Sequence, residues 1–104
     1  VELRENMKKK SEIENIKEKI MPLLKKHKVT RAGIFGSYAR GEQTKKSDVD
    51  ILVELDNDTG LLEFAHIKGL LEKELKRKVD LVEYEGIRKE LRKNILSEEI
   101  PIIR

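Results

Sequence analysis

The 104-residue chain has room for one hydrophobic core, and 41% of its residues are charged, with 23 Lys and Arg against 20 Asp and Glu. The lack of cysteine excludes disulfides and thiolate chemistry, and no apolar run is long enough to span a bilayer. We therefore expect a single cytoplasmic domain over residues 1–104 without membrane contact. The net charge of +3 does not by itself indicate nucleic acid.

The amino-terminal quarter of the chain predicts a helix that packs on the core. Residues 1–10 are polar and form either a loose segment or an extension of this helix. Ser11 and Glu14 match a capping pattern at its start, and Pro22 should kink or divide it. The apolar residues that share one helical face are Ile13, Ile16, Ile20, Leu23 and Leu24.

The segment Val29–Phe35 predicts a strand, because it is short, apolar and rich in β-branched residues, and it stops at a Gly-Ser turn. Gly36 lets the backbone approach an anion closely, while the hydroxyl of Ser37 and the following N–H groups can donate to it. A helix from Tyr38 would direct its positive end to the same anion, and Arg40 would add a charged donor fork. Alone, such a turn is ordinary, so it indicates an anion site only in combination with the strand after it.

That second strand, Ser47–Leu55, begins with two acidic residues in an Asp-x-Asp pattern. Side chains alternate along a strand, so Asp48 and Asp50 lie on one face and Val49, Ile51 and Val53 on the other. Neighbouring carboxylates raise each other's pKa unless a cation lies between them, and a hard divalent ion such as Mg²⁺ or Mn²⁺ suits their oxygens. The Gly-Ser turn followed by this strand therefore predicts a phosphate and metal site.

A third strand is predicted at Lys78–Tyr84, after a turn and a helix over Leu61–Lys76. Asp80 lies between apolar neighbours in this strand. If the strand pairs beside the first two aspartates, Asp80 can complete the metal site and accept a proton from an attacking hydroxyl. The alternative is an edge-strand aspartate that faces water.

The last part of the chain predicts a helix over Gly86–Ile95 and an apolar tail over Glu98–Arg104. This tail either docks on the sheet or is offered to another subunit. The expected fold class is α/β, with a small mixed sheet of three or four strands, helices packed mainly on one face and the acidic site at the strand ends.

The run GSYARGEQTKKSDVDILV resembles the minimal nucleotidyltransferases of the DNA polymerase β superfamily. The resemblance implies the polymerase β-like nucleotidyltransferase fold and a bound nucleoside triphosphate. It also implies that Asp48, Asp50 and Asp80 hold catalytic Mg²⁺, or Mn²⁺, and are the catalytic residues. The nucleotide-binding residues expected on this basis are Gly36, Ser37, Arg40 and Ser47.

Stand-alone members of that family are often antitoxins that act on a HEPN-domain partner. The resemblance therefore implies a protein adenylyltransferase that transfers AMP from ATP to a tyrosine of a HEPN-type toxin, in a hetero-oligomer. Two alternatives stay open at this point. One is a nucleotide-binding antitoxin that neutralises by contact alone, and the other is the catalytic subunit of a two-subunit enzyme acting on a small molecule or RNA.

Overall fold

The computed structural model describes the backbone of residues 2–104 and the side chains of residues 12–104. In chain order the elements are α1 Glu2–Lys26, β1 Arg31–Phe35, α2 Gly36–Arg40, β2 Val49–Glu54, α3 Leu61–Leu75, β3 Val79–Glu83, a 3-10 turn Tyr84–Gly86, α4 Lys89–Glu98 and β4 Ile100–Ile103. None of the helices in the described range is long and apolar enough to cross a bilayer.

The four strands form one mixed sheet in the order β3-β2-β1-β4. Strand β1 is antiparallel to both β2 and β4, whereas β2 and β3 are parallel neighbours joined by the crossover helix α3. The prediction of an α/β fold with a mixed sheet of three or four strands is thus confirmed. Parallel pairing of β2 with β3 brings the amino ends of these two strands to the same edge of the sheet.

The main core lies between one face of the sheet and helices α1 and α3. The side chains of Ile20 and Leu24 in α1 and of Ile67 and Leu71 in α3 are completely buried there. A smaller apolar cluster on the opposite face is covered by α4 and the 3-10 turn. Its members are Leu52, Tyr84 and Ile87, with Phe35, Val82, Ile95 and Leu96 packed against them. Helices therefore pack mainly, though not solely, on one face.

Helix boundaries differ from the predicted ones at both ends of the chain. Helix α1 begins at Glu2, so Ser11 lies inside it rather than capping it, and residues 2–10 extend the helix. Val1 lies outside the described residues. Pro22 does not divide α1, because Pro22 is exposed, so that water can satisfy the carbonyl that loses its donor, and Leu24 beyond it is buried in the core. The last helix starts at Lys89 rather than at Gly86, because Gly86 ends the 3-10 turn and the backbone angles of Ile87 and Arg88 are not helical.

The apolar tail docks on the sheet as β4, and a polar cluster secures the junction before it. The Glu99 side chain is 8% exposed and lies over Gly33, where a Cβ atom would overlap its carboxylate. The Tyr84 hydroxyl donates to Glu99 Oε2, and Arg31 Nη2 lies 3.7 Å from Glu99 Oε1. The Arg31 guanidinium also stacks 4.1 Å from the centre of the Tyr84 ring. This cluster ties β4 and α4 to β1.

We expect Tyr84→Phe to lower the free energy of unfolding by about 1–3 kcal/mol, because the buried Glu99 carboxylate loses a donor. Tyr38→Phe is a matched control: Tyr38 is also buried, and among the described residues its hydroxyl makes no hydrogen bond to another side chain. Urea unfolding followed by circular dichroism measures both variants. Equal stability losses in the two variants would contradict a stabilising role for the Tyr84–Glu99 bond.

Candidate active site

The acidic residues of the predicted site lie where β2 begins. Asp48 immediately precedes the strand and is exposed, while Asp50 is the second strand residue and is half-buried. Val49, Ile51 and Val53 are fully buried on the opposite face, against α1 and α3. Alternation along the strand therefore directs the two aspartates away from the main core and toward the face that carries the smaller cluster.

Asp80 is the second residue of β3 and is paired directly with Asp50 in the parallel register. Neighbouring strands lie about 4.8 Å apart, so the two carboxylates share one face at close range. The pKa of Asp50 is raised to about 6, first by burial, then by the charge of Asp80 and then by that of Asp48. The charge of Arg40 and a backbone hydrogen bond from Ser37 oppose this shift. The structure thus brings the three predicted carboxylates together around Asp50.

Gly36 allows the turn after β1 to lie directly against this acidic group. Its φ of +73° is in the left-handed region, and a Cβ atom there would overlap the Asp50 carboxylate. Both conditions favour glycine, which has neither the steric penalty nor the side chain. The next residue, Ser37, directs its backbone N–H at Asp50. The Gly-Ser turn and the aspartates therefore form one continuous surface.

The other two predicted nucleotide contacts are engaged with neighbouring residues. Arg40 Nε and Nη1 each lie 3.3 Å from a carboxylate, on Glu42 and Glu98 respectively. The Ser47 hydroxyl accepts a hydrogen bond of 2.8 Å from the backbone N–H of Thr44, which closes the loop before β2. Arg40 is close enough to influence Asp50 electrostatically, whereas Ser47 has a local structural contact.

The donor set fits a hard divalent cation bound jointly with a phosphate. In the described part of the chain, no three acidic or histidine side chains are arranged so closely that they could enclose a metal ion unaided. Mg²⁺ does not require such a cage, because it commonly takes one or two carboxylates and completes its shell with water and substrate phosphate. Asp50 is the half-buried member, and Asp48 and Asp80 are its exposed neighbours.

Two basic segments for which the sequence predicted no functional role also reach this edge of the sheet. The pair Lys45-Lys46 ends two residues before Asp48, and a run from Lys76 to Lys78 ends two residues before Asp80. Arg77 Nη1 donates a hydrogen bond of 3.0 Å to the backbone carbonyl of Lys45, which joins the two loops. One sequence feature could have predicted this arrangement: a basic run precedes an acidic strand residue twice in the chain.

Comparison with known sequences gives one family and several relatives. The model of the nucleotidyltransferase domain family matches residues 13–103. A protein of Methanocaldococcus jannaschii, provisionally named a protein adenylyltransferase, is 46% identical over 91 residues, covering 88% of this chain and 98% of that protein. The protein adenylyltransferase MntA of Thermococcus cleftensis is 37% identical over 91 residues, covering 80% of this chain and 92% of that protein.

Solved structures that share the fold include the following two. One is described as a provisional minimal nucleotidyltransferase; it has a TM-score of 0.77 and 36% identity, covering 88% of this chain and 93% of that chain. The other is a toxin-antitoxin crystal structure with AMP-PNP; it has a TM-score of 0.72 and 26% identity, covering 83% of this chain and 71% of that chain.

In metal-free buffer, Asp50→Asn should raise the melting temperature at pH 8 and raise it only about half as much at pH 5. The folded pKa of Asp50 is raised from 3.8 to about 6, so the folded state binds the extra proton more tightly than the unfolded state. Proton binding by Asp50 therefore stabilises the folded state at low pH, and this stabilisation is lost as the pH rises through the window between those two pKa values. Asn carries no charge at any of these pH values, so the variant does not lose stability in this way.

Differential scanning fluorimetry with a chelator at several pH values measures this effect. Asp58→Asn, in the exposed turn before α3, removes the same charge and should show no such pH-dependent gain. If the melting temperatures of the wild type and of Asp50→Asn changed in parallel between pH 5 and pH 8, the proposed electrostatic destabilisation at Asp50 would be disproved.

Proposed function

The chain belongs to the nucleotidyltransferase domain family, and on that premise we propose that it is a Mg²⁺-dependent protein adenylyltransferase that transfers AMP from ATP to a tyrosine of a HEPN-type toxin. The family match over residues 13–103 also supports treating residues 1–104 as one domain. The relatives from Methanocaldococcus jannaschii and Thermococcus cleftensis carry the name protein adenylyltransferase, which favours a protein as the acceptor.

One observation carries the proposal: a half-buried Asp50 has a carboxylate on the adjacent strand and a second one two residues before it, and the Gly-Ser turn contacts it. Like charges packed together lower stability unless something else compensates them. A divalent cation and a triphosphate supply that compensation, the cation to the carboxylates and the phosphate to the donors of the turn. A purely structural strand would gain nothing from the same arrangement.

Each element of the site has a separate task in this reaction. Gly36 lets the turn approach the triphosphate, and the Ser37 hydroxyl can donate to a phosphate oxygen. Asp48 and Asp50, with Asp80, would hold Mg²⁺, which would supply positive charge beside the phosphates. The tyrosine oxygen would bond to the α-phosphorus as the bond to pyrophosphate breaks, so that the adenylyl group is transferred. Asp80 is exposed at the strand pair and can take the proton from the tyrosine hydroxyl as it attacks.

Arg40 is held by Glu42 and Glu98, and both ion pairs are at the surface, where their energies are small. Its guanidinium can therefore turn to a phosphate at little cost. The AMP-PNP in the related toxin-antitoxin structure supports ATP as the nucleotide and a complex of two proteins as the working state. Because the reaction consumes ATP, we place it in the cytoplasm.

The decisive variant is Asp80→Asn in a complex with a HEPN partner. If Asp80 is the base, ATP binding should stay nearly unchanged while AMP incorporation falls by about 10² or more. ATP labelled at the α-phosphate, with Mg²⁺ and the purified partner, measures the transfer, and isothermal titration measures the binding.

Glu83→Gln is the control, because Glu83 is exposed on the same strand at the end away from the site. It should leave both ATP binding and transfer unchanged. A wild-type protein that neutralises the partner without incorporating AMP, and an Asp80→Asn variant that neutralises it equally well, would refute the enzyme and favour an antitoxin acting by contact.

A further inference from the structure

A basic cleft lies at the edge of the sheet where β2 and β3 begin. It has a volume of about 670 Å³, within the usual range for ligand sites, and it is bordered by Asp48. Its other lining residues come from the loop before β2 and from the end of α3 and the loop before β3; they are Lys45, Lys46, Ser47, Leu75, Lys76, Arg77 and Lys78. Five positive charges therefore face a single carboxylate.

The positive charges of this cleft are not neutralised from within. Among residues 12–104, no carboxylate lies within ion-pair distance of Lys45, Lys46, Lys78 or the other two basic side chains. The cleft is also braced, because Arg77 bonds to the Lys45 carbonyl and the backbone N–H of Val49 donates to the Lys78 carbonyl at 3.0 Å. The lysines are consequently held near one another although like charges repel, an arrangement that an anion would stabilise.

The cleft adjoins the acidic site along two loops. Asp48 borders the cleft, and Lys78, which also lines it, lies two residues before Asp80. With the triphosphate held at the Gly-Ser turn, an acceptor that also occupied the cleft would lie against the loops that lead to Asp48 and Asp80.

The lining of the cleft distinguishes among anions. Single-stranded nucleic acid is generally bound by basic grooves that also carry aromatic side chains for stacking, and none of the described residues that line this cleft is aromatic. Four of its five cations are lysines, which act as flexible point charges rather than as planar forks. Such a surface suits several separate carboxylates on a peptide.

We propose that this cleft binds an acidic segment of the acceptor protein, next to the hydroxyl that receives AMP. The inference rests on the proposed transfer only for the position of the hydroxyl; binding of the acidic segment itself needs neither nucleotide nor metal. The cleft would then select acceptors by charge, in addition to any contact made elsewhere on the domain.

Direct binding is measured first, without nucleotide, by fluorescence anisotropy. The probes are a labelled Glu-rich peptide with one central Tyr, the same peptide with Gln in place of Glu, and an oligouridylate of equal charge. Wild-type protein should bind the Glu peptide, lose affinity as salt rises, and bind the Gln peptide at least about 10-fold more weakly. Tighter binding of oligouridylate than of the Glu peptide would overturn the proposal in favour of RNA.

The variant Lys45→Gln/Lys78→Gln removes one charge from each loop while leaving both backbone bracing bonds in place. It should weaken binding of the Glu peptide by about 5- to 30-fold. Lys68→Gln/Lys89→Gln removes the same charge from exposed positions on α3 and α4 and should change nothing. Equal binding by the two double variants would refute the assignment of the cleft.

ATP affinity, determined separately, keeps this result distinct from the proposed function. A wild-type protein that neither bound ATP nor transferred AMP would refute the proposed adenylyltransferase function, whereas the measured affinity for the peptide would still stand. In an active protein, AMP incorporation into a random Glu-Tyr copolymer should exceed that into a Lys-Tyr copolymer. The Lys45→Gln/Lys78→Gln variant should raise KM for the Glu-Tyr copolymer with kcat nearly unchanged, and a fall in kcat alone would contradict a binding role.

Discussion

The register of the parallel pair β2 and β3 is the constraint on which the site depends. Val49, Ile51 and Val53 in β2, with Val79 and Leu81 in β3, are buried against α1 and α3. A slip of one residue would expose this apolar set and bury the acidic one, so the core fixes the register. The same register places Asp50 opposite Asp80. Hydrophobic burial therefore supplies the free energy that holds the like charges together.

The Gly-Ser turn completes the arrangement from the other side of β2. Phe35, the last residue of β1, is paired with Asp50 across the antiparallel ladder, so the next residue has to turn beside the carboxylate. Only a residue without a side chain fits there at positive φ, and Gly36 meets both requirements. The N–H donors of the Gly-Ser turn and the carboxylate of Asp50 are thus held in place by the same sheet. Little rearrangement is therefore needed when a nucleotide binds.

Much of this could be predicted from the sequence, because the strands have short apolar runs and the aspartates interrupt them in a recognisable way. The parallel pairing that brings Asp80 to Asp50 is consistent with the single helix between β2 and β3. The sequence left the start of α1 open between two alternatives, because Ser11 has a capping pattern although the polar residues before it continue the helix. Pro22 was expected to kink or divide the helix, but α1 continues through it, because tertiary burial of Leu24 outweighs one lost hydrogen bond.

The contacts between distant segments were beyond the reach of local patterns. Nothing near Glu99 in the sequence indicates that its carboxylate lies over Gly33 or accepts the Tyr84 hydroxyl. The ion pair of Arg40 with Glu98 joins residues far apart in the chain, and the brace from Arg77 to the Lys45 carbonyl does the same. Each depends on the relative placement of elements, which only the folded structure provides.

The central claim is that the carboxylates around Asp50 constitute a cation site that is completed by nucleotide. Electron paramagnetic resonance of Mn²⁺, titrated with a non-hydrolysable ATP analogue present, tests it most directly. The account predicts saturable Mn²⁺ binding that Mg²⁺ displaces and that Asp50→Asn weakens by about 10-fold or more, with Asp58→Asn unaffected. Equal Mn²⁺ binding by the wild type and by Asp50→Asn would contradict it.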